Sequence, residues 1–262
     1  MGEVSTYPHG TFCWVDLGTT EVPGAKEFYG ALLGWDFEDL PAGEDETYTM
    51  CRVDGKDVAG MHRHTEDEGV GWASSISVDD VDAATAKAKG LGGSVTVEPL
   101  DIPEAARLSV IRDPGGAVVT LWQPKGHIGA RLVNEMGTWT WNELVTPDLA
   151  AAKAFYGELF GWTAREVPAP MPRAGFMLGE LLVGGVHEPS GAERGAPSSW
   201  TVSFRVPDAD EGAVRVEQLG GGILLPPSDI PVGSFAIVTD PSGAAFTIAA
   251  FPAGPFLGVD GS

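Results

Sequence analysis

Two acidic residues each stand two positions after a tryptophan, in Trp14-Val15-Asp16 and Trp141-Asn142-Glu143. In an extended strand such neighbours share a face, so each carboxylate is expected beside its indole. A carboxylate placed there can accept hydrogen bonds from a ligand, or act as a general base where desolvation raises its pKa. Its structural alternative is to anchor adjacent strands. Asp16 and Glu143 are therefore the candidate catalytic residues. His62 and His187 follow the matched segments Ala59-Gly60-Met61 and Gly184-Gly185-Val186, and suit ligand contact, a proton shuttle, displaced metal ligation or a satisfied structural role. The indoles of Trp14, Trp141, Trp72, Trp200 and Trp122 are candidate ligand surfaces, flat and apolar, suited to planar conjugated guests. His9, His64 and His127 have no counterpart and read as loop residues, whereas Cys13 alternates away from Trp14 and reads as packing. No Ser-His-Asp context, phosphate-cradling glycine loop or His-Glu-x-x-His helix is present in the sequence.

These residues recur because the chain repeats itself at an offset of 127. Between Gly10–Trp35 and Gly137–Trp162, 13 of 26 positions are identical, and Asp113-Pro114-Gly115-Gly116-Ala117 returns as Asp240-Pro241-Ser242-Gly243-Ala244. The offset drifts to 128 for Trp72/Trp200 and to 125 for His62/His187, as small loop changes would produce. The boundaries are placed at residues 8–126 and 135–254.

Each copy needs elements to hold these groups. Ala25, Phe28, Tyr29, Leu32 and Leu33 have the spacing of a helix packed by one face, repeated in Ala152, Phe155, Tyr156, Leu159 and Phe160. Thr146 before Pro147 reads as an N-cap, while Gly34 and Gly161 read as left-handed stops. Trp35 and Trp162, which end these helices, read as packing groups. A second helix per copy runs from Asp79-Asp80 to Gly90 and from Asp208 to Gly220. Strands are expected over 11–18, 47–53, 57–63, 73–78, 107–112 and 118–123, with counterparts in the second copy and Asp-Pro-x-Gly turns joining the last two. The order gives an α+β fold of four βαβββ units, forming two tandem curved-sheet domains.

Composition narrows the partners. The 262 residues hold 37 Asp+Glu against 16 Lys+Arg, a formal charge of -21, which repels phosphate backbones and anionic lipid. No nucleic acid and no membrane partner is expected. The two cysteines form no Cys-x-x-Cys pair, and residues 1–10 lack signal-peptide character, so a cytoplasmic monomer or homodimer is expected. Residues 1–6 fit the myristoylation pattern, but no polybasic second signal accompanies it.

The Trp-x-Asp-Leu segment, the helix ending Phe-Tyr-Gly-x-Leu-x-Gly-Trp, the Ser77–Ala84 helix start and the Asp-Pro-x-Gly turn together resemble the vicinal oxygen chelate superfamily. That group includes glyoxalase I, extradiol dioxygenases and bleomycin-type resistance proteins. The resemblance implies a divalent metal held by His, Gln or Glu on inward-facing strands. The corresponding positions carry Trp14, Ala73 and Thr120 in one copy, and Trp141, Thr201 and Thr247 in the other. None supplies a deprotonated donor, so no metal and no cofactor is expected. Thr120 and Thr247 join the tryptophans as candidate ligand contacts. The reading is a metal-independent protein that binds a small aromatic or polyketide-like molecule for sequestration or tailoring. The alternatives are a metal-dependent lyase or dioxygenase built on displaced ligands, and a non-catalytic interaction protein.

Overall fold

In a computed structural model, residues 2–43, 46–166, 173–195 and 197–251 are described; Met1 and the expected end of the second copy at residue 254 lie outside them. The first copy runs β1 (Phe12–Thr19), α1 (Val22–Leu33), β2 (Asp36–Pro41), β3 (Thr47–Val53), β4 (Lys56–Arg63), β5 (Gly71–Ser77), α2 (Val81–Gly90), β6 (Ser94–Ile102), β7 (Ala106–Arg112) and β8 (Val118–Pro124). The second runs β9 (Trp139–Val145), α3 (Leu149–Phe160), β10 (Thr163–Glu166), β11 (Arg173–Leu178), β12 (Leu181–His187), β13 (Ser199–Arg205), α4 (Ala209–Gln218), β14 (Gly222–Ile230), β15 (Gly233–Thr239) and β16 (Ala245–Ala250). Each copy builds its own eight-stranded curved sheet, ordered β2-β3-β4-β1-β5-β8-β7-β6 and β10-β11-β12-β9-β13-β16-β15-β14. The two βαβββ units of a copy meet where β1 runs antiparallel to β5, and β9 to β13.

Helix boundaries follow local chemistry. Asp80, Asp148 and Asp208 each accept a backbone N–H three residues on, at 2.9 Å, satisfying one of the free donors of a first turn. The cap of α3 is thus Asp148, not the predicted Thr146. The helix starts after Asp148 because its carboxylate takes the Ala151 N–H, while the Thr146 hydroxyl accepts the Asp148 N–H at 3.3 Å. Gly34 (φ 75°) and Gly161 (φ 76°) end α1 and α3 in the left-handed region. The strands missing from the sequence reading are β2, β6, β10 and β14. All four lie at sheet edges, and β6 and β14 carry Pro99, Pro226 and Pro227, which an edge tolerates.

The two sheets pack through their helix-covered faces. Phe12 meets Trp200 edge-to-face at 4.9 Å, Trp72 meets Phe204 at 4.8 Å, and the Asn142 amide donates to Ser74 Oγ. Four tryptophans and two tyrosines in this seam donate into chains that cross from one copy to the other. Trp72 Nε1 donates to Tyr29 Oη, which donates to Asp240; Trp200 Nε1 donates to Tyr156 Oη, which donates to Asp113. Trp35 Nε1 donates to the Gly137 carbonyl at 2.6 Å, and Trp162 Nε1 to that of Gly10 at 2.8 Å. The aspartates of the two Asp-Pro-x-Gly turns therefore also tie one copy to the other. No helix among the described residues is long and apolar enough to cross a membrane.

Candidate functional site

Strand pairing decides which candidates meet. Registers Asp16↔Gly60, Gly18↔His62, Tyr48↔His62, Asp16↔Ala73, Trp14↔Ser75 and Ser75↔Thr120 place Trp14, Asp16, Tyr48, His62, Ala73, Thr120 and Trp122 on the face turned away from the helices. The second sheet does the same with Trp141, Glu143, Arg173, His187, Thr201 and Thr247. Trp72 and Trp200 are corrected. They alternate with Ala73 and Thr201, so period two turns them into the seam against Tyr29 and Tyr156, where they contact aromatic side chains and no open face. Trp14 lies on the expected face but is fully covered, with the His127 ring 4.7 Å from its own.

In the first sheet, Trp14 Nε1 donates to Tyr48 Oη at 2.8 Å, and Tyr48 donates in turn to Asp16 Oδ1. Burial, followed by the Asp16 charge, pushes the Tyr48 hydroxyl well above its ordinary value, so it stays a donor. Gly60 makes this geometry achievable: a Cβ there would collide with Tyr48 Oη and Asp16 Oδ1. His64 lies, as expected, in the loop that follows β4. Its Nδ1 donates to the Gly69 carbonyl at 3.0 Å, and its Nε2 faces His62 Nε2 at 3.0 Å. The two rings share this Nε2–Nε2 contact, and His62 Nδ1 is buried with no hydrogen-bond partner among the described residues.

The second sheet uses equivalent positions for a different purpose. Glu143 accepts from Trp141 Nε1 at 2.8 Å and from His187 Nδ1 at 3.0 Å; the other His187 nitrogen faces both Glu193 oxygens at 3.3 Å, and Arg173 stands 4.0 Å from Glu143. Burial by itself would lower the His187 pKa, but Glu143 and Glu193 outweigh it and lift it to about 9. Burial would raise Glu143 in the same way, yet His187, Trp141 and Arg173 hold it below the ordinary carboxylate range. At neutral pH His187 is an imidazolium clamped between two carboxylates. Both its ring nitrogens then carry protons, so a metal could take either one only by displacing a proton and breaking its carboxylate contact. Tyr48, Arg173 and Glu193 were missed from the sequence, although the repeat marks them. Tyr48 and Arg173 both precede the matched histidine by 14 residues, and Glu68 and Glu193 both follow it by six. Glu68 instead closes onto the Thr65 N–H and hydroxyl, both at 2.8 Å.

Comparison with known proteins places this geometry in a family. The profile of the Glyoxalase/Bleomycin resistance protein/Dioxygenase superfamily matches residues 11–121 and 136–248. The chain is 43% identical over 258 residues to the "Putative glyoxylase CFP32" of Mycobacterium tuberculosis, covering 95% of this chain and 97% of that protein. It is 31% identical over 265 residues to the "Anthracycline biosynthesis protein DnrV" of Streptomyces peucetius, covering 94% of both. Among solved structures, the Mn(II)-bound glyoxalase from Novosphingobium aromaticivorans shares its fold with a TM-score of 0.66 at 16% identity, over 95% of this chain and 84% of that one. The 2,3-dioxygenase LapB from Pseudomonas sp. KL28 does so at 0.64 and 13%, over 94% and 93%. The side chains standing across the central strands do not fit a divalent cation. Trp14, Ala73 and Thr120, and Trp141, Thr201 and Thr247, offer indoles, a methyl group and neutral hydroxyls, and no three His, Cys, Asp or Glu among the described residues are grouped to hold an ion. With both halves matched and relatives aligned across nearly its full length, the chain belongs to the Glyoxalase/Bleomycin resistance protein/Dioxygenase superfamily.

Proposed function

We propose that this chain binds a planar aromatic or polyketide-like small molecule on an open sheet face, without a divalent metal, for sequestration or tailoring. One observation carries the reading: Trp14, Ala73 and Thr120, and Trp141, Thr201 and Thr247, stand where a cation would need anionic or imidazole donors, and Asp16 and Glu143 on the same faces are held by Tyr48 and His187. Apolar, flat side chains with a few convergent polar groups suit an organic guest. The similarity to a protein named for anthracycline biosynthesis favours a polycyclic aromatic ligand. Of the two candidate carboxylates, Asp16 is the better ligand acceptor or base, because Tyr48 occupies one of its oxygens whereas His187 and Trp141 occupy both of Glu143's.

The test is intrinsic tryptophan fluorescence of chelator-treated protein titrated with planar polycyclic aromatics, an anthracycline among them. Saturable quenching is the expected result, and no response across the panel removes the reading. The relatives named as glyoxylases favour a second reading, a metal-dependent lyase. Elemental analysis of protein purified without chelator separates the two, since a stoichiometric divalent ion would replace the first reading with the second.

A further inference from the structure

Trp122 has no aromatic counterpart in the other sheet. On β8 it pairs with Ser77 of β5, whereas the matching position on β16 is Ala249, paired with Arg205 of β13. The first sheet alone therefore sets two indoles, Trp14 and Trp122, around one space. That space is filled by the imidazole of His127, from the segment joining the two copies. Its ring lies edge-to-face with Trp14 at 4.7 Å and 84°, and with Trp122 at 5.7 Å and 74°. Among the described residues neither His127 nitrogen has a hydrogen-bond partner, although both are buried. An imidazole enclosed in this way forfeits the hydrogen bonds that water would give it, so it is a poorly satisfied occupant of an aromatic box. Its backbone is held independently of the ring: His127 N donates to the Ala105 carbonyl and Trp122 Nε1 donates to the His127 carbonyl, both at 3.0 Å. The ring can swing out while the main chain stays in place.

We infer that the His127 side chain is a displaceable plug, and that a planar aromatic ligand binds in the first copy by taking its place between Trp14 and Trp122. This rests on the aromatic-ligand reading above and assigns it to one of the two sheets. Once displaced, the imidazole recovers hydrogen bonds in water, and the guest's rings gain the two indole contacts. The Asp16 carboxylate beside the box and the chain's charge of -21 favour a neutral or cationic guest over an anionic one.

The probe is 2-(aminomethyl)anthraquinone, titrated into the full chain and followed by tryptophan quenching. The expected results are binding three- to ten-fold tighter in His127→Ala and at least ten-fold weaker in Trp122→Ala. On the wild-type chain, NMR should show the ring-current-shifted His127 C–H resonances moving to the position of a solvent-exposed histidine as the probe saturates. This arm does not depend on either variant folding. Unchanged or weaker binding in His127→Ala with unmoved His127 resonances overturns the plug while leaving aromatic binding intact. Loss of binding in Trp141→Ala but not in Trp122→Ala also overturns it, placing the guest on the second sheet. No saturable quenching in any of these proteins overturns both the plug and the reading beneath it.

Discussion

Replacing His187 with glutamine should flatten the alkaline limb of the chain's stability profile. Folding raises the His187 pKa from 6.5 to about 9, so the folded state holds this proton more tightly than the unfolded chain does. The resulting stabilisation is complete below pH 6.5, declines above it, and is gone once the pH passes 9. A gap of that size is worth about 3 kcal/mol at ~1.4 kcal/mol per unit, and with the His187 side chain 12% exposed little is lost to solvent screening. Glu143 and Glu193 titrate below this window: folding lowers both, so their contribution is present above 4.5 and is lost as the pH falls through their folded values. Urea unfolding at pH 6 and pH 9.5, followed by tryptophan fluorescence, measures the effect as a double difference. Groups out of contact with His187 cancel; Glu143 and Glu193 do not, since the variant removes the imidazolium that holds both down. Wild type should lose about 3 kcal/mol more than His187→Gln over this interval. Parallel losses, agreeing to about 0.5 kcal/mol, would show that the imidazolium clamp does not form in solution.

Three other perturbations probe the seam, the first sheet and a helix cap. Tyr156→Phe leaves Trp200 Nε1 and one Asp113 oxygen unpaired in a buried interface, so it should cost about 1–3 kcal/mol in chemical denaturation. Tyr29→Phe should cost a similar amount, and an effect near zero for both would deny the relays a stabilising role. Gly60→Ala drives a methyl into Tyr48 and Asp16; destabilisation of about 1–3 kcal/mol and altered Trp14 emission are expected, and a wild-type melting curve and spectrum would contradict the contact. Asp208→Ala removes the α4 cap and should lower stability by about 1 kcal/mol by urea titration, with an unchanged midpoint counting against the capping bond.

The sequence carried what depends on neighbours a few residues apart. The stripe Ala25–Leu33 and its copy predicted α1 and α3, alternation put Asp16 beside Trp14 and Glu143 beside Trp141, and the duplication gave two tandem domains. The edge strands β2 and β10 escaped because their short, charged, exposed sequences carry little apolar signal, whereas β6 and β14 hold apolar residues that Pro99, Pro226 and Pro227 interrupt. Other features required the folded chain. Tyr29 finds Asp240 at a separation of 211 residues, Trp72 turns away from the open face into the seam, and His127, in the loop where it was expected, packs its ring against two indoles. Matched histidines acquire opposite surroundings: His187 meets two carboxylates, while His62 meets another histidine. Local periodicity fixes which face a side chain occupies, but partners and solvent exclusion arise only when distant segments pack together, and those set its charge and its chemistry.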